Sequence, residues 1–222
     1  MTDATLSNIG DPHRVAAAGD PPDATDETHG LSHVTSTGIS NEKLAMWVFL
    51  GSECLLFGGL ISTFLLYKHR SGTGPLRETP HDLYDIPFTS ISSFVLLMSS
   101  LTMVLAVAAI GRGDHRALRG WLLTTALLGS VFISGQVYEF TEFLNHGYGF
   151  THSPAWSAFF TLTGFHGVHV TLGIVMLIST AVLSWRGRIG EERAEAVEIV
   201  GLYWHFVDVV WILIFTIVYL VK

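Results

Sequence analysis

Five long apolar runs leave this chain little choice of fold. They lie at about Ala45 to Tyr67, Phe88 to Ile110, Trp121 to Leu144, Ala155 to Trp185 and Val197 to Val221. Each reaches the ~20 residues that an α-helix needs to cross a ~30 Å hydrocarbon core. Lipid offers no water to unpaired backbone groups, so runs of this length must be helices; a barrel would show short alternating strands instead. With 49% hydrophobic and only 14% charged residues, nothing is left over for a soluble domain. The expected architecture is all-α: an integral membrane bundle of five transmembrane helices over residues 43–222, preceded by a tail at 1–42.

The tail holds Gly, Pro, Asp, Ser, Thr and His without a sustained apolar run, a composition that cannot bury enough surface to order itself. Asp3, Asp11, Asp20, Asp23, Asp26 and Glu27 face a single Arg14 there, so the net charge of -7 describes a disordered acidic extension and not a nucleic-acid surface. No basic start, short apolar run and cleavage site marks a secretory signal. The one cysteine, Cys54, excludes an internal disulfide and any CxxC motif. Positive loop residues collect on one side: Arg14, Lys43, Arg112, Arg116, Arg119, Arg186, Arg188 and Arg193, against Lys68, Arg70, Arg77 and Lys222 on the other. That bias predicts a multi-pass protein of the inner or plasma membrane, amino terminus cytoplasmic and carboxyl terminus outside. Tyr67, Trp121, Trp156 and Trp185 fit interfacial anchors. No internal repeat of the transporter kind is visible.

Polar groups inside the runs carry the functional information, because a carboxylate at a helix centre costs roughly +2.5 to +3.5 kcal/mol on insertion scales. Glu53, in Gly51-Ser-Glu-Cys-Leu-Leu-Phe-Gly-Gly59, reads either as a proton-exchanging carboxyl or as a protonated or His-paired structural one. Gln136, Glu139 and Glu142, at i, i+3 steps, form a polar stripe expected to face other helices or the outer interface. A metal there would lack a histidine at matching spacing. His166 and His169 sit among Gly164, Gly167 and Gly173, small residues that admit a neighbouring helix and turn the imidazoles inward. Haem ligation would draw a partner from a facing helix; His205 is a candidate, but no histidine ladder repeats on two helices. In Tyr203-Trp-His-Phe-Val-Asp-Val-Val-Trp211, Asp208 shares a face with Trp204 and His205 and is expected to accept from either ring, first as a fold-fixing clamp and second as a proton relay.

Four segments together resemble subunit III of cytochrome c and quinol oxidases: Gly51 to Gly59, Gly135-Gln-Val-Tyr-Glu-Phe140, Thr163-Gly-Phe-His-Gly-Val-His-Val-Thr-Leu-Gly173 and Tyr203 to Trp211. The resemblance covers about residues 43–222 and is to the five-helix bacterial form, which lacks the first two helices of the mitochondrial one. It implies a non-catalytic subunit of a haem-copper terminal oxidase, with haem and copper in partner subunits and no cofactor in this chain. The catalytic subunit I and subunit II are the implied partners, and support of proton uptake and pumping is the implied role. Glu53 matches the family's intramembrane carboxyl, while Glu139, His166 and His169 fall on positions lining the bundle. Structural phospholipid is implied near Glu53, His166 and His169. The accessory protein of nitric oxide reductases shares this fold and is the alternative; an independent transporter would need a broken helix pair that the sequence lacks.

Overall fold

The computed structural model describes residues 40–70, 86–188 and 194–220. The expected tail, 1–42, lies outside them except for its last three residues. Five helices follow one another: α1 (Asn41–Arg70), α2 (Ile86–Gly111), α3 (His115–Asn145), α4 (Pro154–Trp185) and α5 (Ala194–Phe215), the last running into a π-helical turn, Thr216–Leu220. All five are long and apolar enough to cross a membrane. They begin or end a few residues beyond the apolar runs, because a helix continues through the headgroup region where charged residues are tolerated. The clearest case is α3, which starts six residues before Trp121. Asp114 caps it, its carboxylate accepting from the Arg116 and Ala117 N–H groups at 3.1 and 3.0 Å. Helix α4 starts at Pro154, whose absent N–H is no loss in the first turn, behind the Ser153 cap. Gly113 and Gly187 take positive φ, 71° and 67°, where α2 and α4 end, a conformation that glycine adopts without a Cβ clash.

Helices α2, α3, α4 and α5 pack in a closed ring, each against the next and α5 against α2. Neighbours in sequence run antiparallel, and so do α2 and α5. Two tryptophans of α5 show this register: Trp204 donates its indole N–H to Ser99 Oγ at 3.0 Å, and Trp211 donates to Ser93 Oγ at 2.9 Å. Both serines send their own hydrogens back to carbonyls of α2, Leu96 and Thr89, which leaves an oxygen lone pair for each indole.

Trp204 has no solvent-exposed surface and fills the centre of the ring. Its indole lies between two glycines: a Cβ on Gly129 of α3 would come within 2.6 Å of it, and a Cβ on Gly173 of α4 within 2.8 Å. One side chain of α5 therefore touches α2, α3 and α4 together. Small residues that let helices approach closely are the usual basis of packing in lipid, where no hydrophobic force joins one helix to another.

Helix α1 lies outside the ring, along the α4–α5 seam. It buries a narrow stripe, Leu50, Phe57 and Phe64, at seven-residue intervals, the period of one helix laid on another. Polar tethers fix its height. Lys43 Nζ meets Glu198 Oε2 at 2.6 Å near one end; at the other, Lys68 Nζ donates to the Ile217 carbonyl at 3.2 Å. The Lys43–Glu198 pair is partly exposed and of small worth, since screening and side-chain entropy offset most of such a contact.

Two expectations follow. Gly173→Val overpacks the Trp204 slot and should destabilise the fold by about 1–3 kcal/mol, whereas Gly120→Ala, where a Cβ meets open space, should not; thermal unfolding in detergent reads both. The Ala117 N–H, more than that of Arg116, holds the Asp114 carboxyl below its ordinary value of 3.8. The cap thus contributes fully above that value and is lost as pH falls through the lower folded value. Asp114→Asn should keep the cap and abolish this acid-side loss, seen as a flatter Tm-against-pH curve below about pH 4.

Candidate functional site: the intramembrane polar groups

Glu53 stands twelve residues into α1, because the helix begins at Asn41. That is roughly 18 Å along the axis, deeper than the apolar run alone suggests. His169 is fifteen residues into α4, which runs the opposite way, so the two meet at mid-membrane level. Glu53 Oε2 lies 3.1 Å from His169 Nε2, and the side chains are only 15% and 11% exposed. The other ring nitrogen, Nδ1, lies 2.7 Å from the Phe165 carbonyl. A carbonyl can only accept, so Nδ1 carries a hydrogen. The contact between Nε2 and Glu53 then requires one more proton, held by the carboxyl or by the ring. In either arrangement the pair is neutral as a unit, which suits a site inside a membrane.

Neighbouring groups hold this pair in place. Tyr203 of α5 donates its hydroxyl to the His169 carbonyl at 3.1 Å. Phe57, one turn beyond Glu53 on α1, sets its ring edge-on to His169 at 5.1 Å and to His166 at 6.4 Å. Of the readings open for Glu53, the geometry is that of a histidine-paired carboxyl.

His166 is turned into the bundle, as its glycine neighbours imply, and is wholly enclosed. Its ring stacks on Trp211 at 4.9 Å and meets the edge of Phe132 at 6.0 Å. Neither nitrogen has a hydrogen-bond partner among the described residues. Enclosure by aromatic rings also means that His166 touches no lipid, although the resemblance places it among lipid contacts.

The expected stripe on α3 fans out, because each i, i+3 step falls about 60° short of a full turn. Gln136 points at α4, where its Nε2 donates to the Thr163 carbonyl at 2.7 Å. Glu139 turns toward α2 and the end of α5: Thr89 donates to its Oε1 at 2.8 Å, and the Tyr219 hydroxyl reaches both carboxylate oxygens at 3.2 Å. Glu142 is exposed near the helix end.

The clamp expected at Asp208 is not made. Trp204 donates to Ser99, and His205 Nδ1 pairs with Ser100 Oγ at 2.7 Å. Asp208 itself is 3% exposed, and neither carboxylate oxygen has a hydrogen-bond partner among the described residues. Spacing within α5 allowed an Asp208 bond to either ring, but Ser99 of α2 takes the Trp204 N–H and Ser100 pairs with His205 Nδ1. These serines, the Tyr203 hydroxyl and Gly129 are the groups that sequence reasoning missed. The available signal was the density of Ser and Thr along α2, since hydroxyls in a membrane helix commonly bond across to a neighbour.

Both His169 nitrogens are engaged by the protein, His166 is boxed by rings, and His205 is bound to Ser100. Among the described residues there is no group of three or more His, Cys, Asp or Glu positioned to hold a metal.

Comparison with known proteins adds an independent line. The sequence pattern of the family described as "Cytochrome c oxidase subunit III" matches residues 23–222. "Cytochrome c oxidase subunit 3" of Bacillus sp. (strain PS3) is 38% identical over 180 residues, covering 81% of this chain and 86% of that protein. "Probable quinol oxidase subunit 3" of Staphylococcus saprophyticus is 40% identical over 180 residues, 81% of this chain and 88% of the relative. "Quinol oxidase subunit 3" of Bacillus subtilis (strain 168) is 38% identical over 190 residues, 86% and 91% of the two chains.

The pair should be measurable as a coupling. A double-mutant cycle of Glu53→Ala and His169→Ala, read by unfolding in detergent, should give an interaction of about 0.6 kcal/mol, up to ~1.7. Simple additivity would show that the two side chains do not support each other.

Proposed function

Because the chain belongs to the cytochrome c oxidase subunit III family, we propose that it serves as the non-catalytic third subunit of a haem-copper terminal oxidase. Oxygen is reduced to water in a partner, and this chain supports proton uptake, pumping and the durability of that partner. The observation that carries the non-catalytic part is the occupation of both His169 nitrogens by Phe165 and Glu53. His169 is thereby committed to joining α1 to α4. Haem and copper belong, on this reading, to subunits I and II, and their chemistry is the transfer of electrons to oxygen.

The residues of this chain act through position and proton content. Glu53 and His169 join α1 to the ring and share one exchangeable proton at mid-membrane level. Glu139 ties α2 and α3 to the end of α5, and His205 ties α5 to α2. Asp208 and His166 complete the buried polar set inside the bundle. Phospholipid contact falls to the partly open edges of Glu53 and His169. The positive residues flanking the α2–α3 and α4–α5 connections support a cytoplasmic amino terminus and an outer carboxyl terminus. The relatives compared above include both cytochrome c and quinol oxidase subunits at similar identity. Choice of electron donor is accordingly assigned to other subunits.

In the assembled oxidase, Glu53→Ala should leave the initial rate of oxygen reduction within about twofold while shortening the enzyme's working life several-fold, a loss of kinetic durability and not of chemistry. Continuous oxygen consumption by the reconstituted complex measures both. Immediate loss of turnover would refute the non-catalytic assignment.

A further inference from the structure

A carboxyl sealed inside a membrane bundle must carry a proton or face a cation, because a bare charge there is too costly. Asp208 is buried, and neither of its oxygens meets a hydrogen-bond partner among the described residues. Helices α2, α4 and α5 contain no Lys or Arg, and those of α3, Arg116 and Arg119, sit in its first turns. The proton is the remaining choice. Register shows which helix Asp208 faces: Trp204 and Trp211, four residues before it and three after, both send their indole N–H groups to serines of α2. The side chain of α2 that stands against Asp208 is Ser100, which also holds His205 Nδ1 at 2.7 Å. Ser93 and Ser99 direct their hydrogens to the Thr89 and Leu96 carbonyls, whereas the Ser100 hydroxyl has no backbone acceptor among the described residues. It is able to donate to one neighbour while accepting from the other. His205 is half-buried, with Nδ1 turned in to Ser100 and Nε2 reaching the bundle surface.

We propose that Asp208, Ser100 and His205 form one proton-holding site inside the bundle. The Asp208 carboxyl donates to Ser100 Oγ, and the Ser100 hydroxyl donates to His205 Nδ1. When the Asp208 hydrogen passes to Ser100 and the Ser100 hydrogen moves to Nδ1, a carboxylate and an imidazolium result. No proton enters or leaves, and the three groups are neutral together in both forms. Lipid tolerates such a unit, whereas a lone carboxylate or a lone imidazolium is expensive there. The relay that spacing along α5 placed directly between Asp208 and His205 thus runs through a serine of α2. Trp204, Val207 and Trp211 are buried around Asp208 on its own helix, and the titratable group that reaches the surface is His205. A site served from one side holds a proton and does not carry it across the membrane. It is made from residues of this chain alone and is independent of the subunit reading above.

The test uses the full chain, isolated through a tag with whatever subunits accompany it and read by infrared spectroscopy at neutral pH. Subtracting the Asp208→Asn spectrum from that of the wild type should leave the C=O stretch of one protonated carboxyl. Ser100→Ala should shift that band, because the acceptor of the carboxyl hydrogen is gone, and Ser100→Thr, which keeps the hydroxyl, should restore it. Should Ser100→Ala not fold, Ser100→Cys, a weaker acceptor of nearly the same size, should shift the band in the same direction. Ser93→Ala removes a serine of the same helix that pairs with Trp211 and is the control; it should leave the band in place. Transfer to heavy water should move the wild-type band as the proton exchanges. His205→Phe should slow that exchange at least about tenfold, as a barrier raised by ~1.4 kcal/mol would. A carboxylate in place of the protonated band, no response to loss of the Ser100 hydroxyl, an equal shift in Ser93→Ala, no exchange in the wild type, or exchange as fast in His205→Phe as in the wild type would each overturn the site.

Discussion

Trp204 is the contact on which the rest of the bundle depends. In lipid, apolar side chains gain nothing by leaving their surroundings for one another, so helices associate through close packing and a few hydrogen bonds. The indole supplies both. It occupies the space that Gly129 and Gly173 leave free and donates to Ser99, which binds α5 to three helices from one position. Tyr203, its neighbour in sequence, reaches the His169 carbonyl. The same segment that closes the ring therefore also sets the height of the histidine that faces α1.

Helix α1 is joined on different terms. It buries a single stripe, so its position depends on tethers between side chains more than on shared surface. The Glu53–His169 contact is the tether at mid-membrane depth, where a polar group without a partner is expensive and a matched pair is accordingly directional. Phe57 closes over it from the α1 side and touches both histidines of α4. Glu53 thus serves as a docking point, and removing it would loosen one helix while leaving the four-helix ring intact.

Much of this was legible in the chain. Five runs of sufficient length dictated five helices, and the position of each polar residue within its run placed it inside the apolar layer. The pairing of Glu53 with a histidine was open from composition alone, because a carboxyl at that depth needs a proton or a partner. The choice of His169 over His166 was not. Both lie on one side of α4, and only the placement of α1 on the α4–α5 seam brings one of them to Glu53 and encloses the other in aromatic rings. Asp208 gives the opposite lesson: spacing within one helix described what it could reach, while the serines of α2 decided what Trp204 and His205 bound instead.

Local sequence therefore determined the number and approximate span of the helices, since hydrogen bonding of the backbone in lipid admits no other spanning structure for such runs. It also marked which ionisable groups had to be shielded. Which neighbour shields each of them was settled by the packing angles and heights of the helices, and these follow from where glycines permit close approach. An i, i+3 spacing names a face, but only the helix lying against that face determines whether a side chain there meets a partner, a ring or lipid.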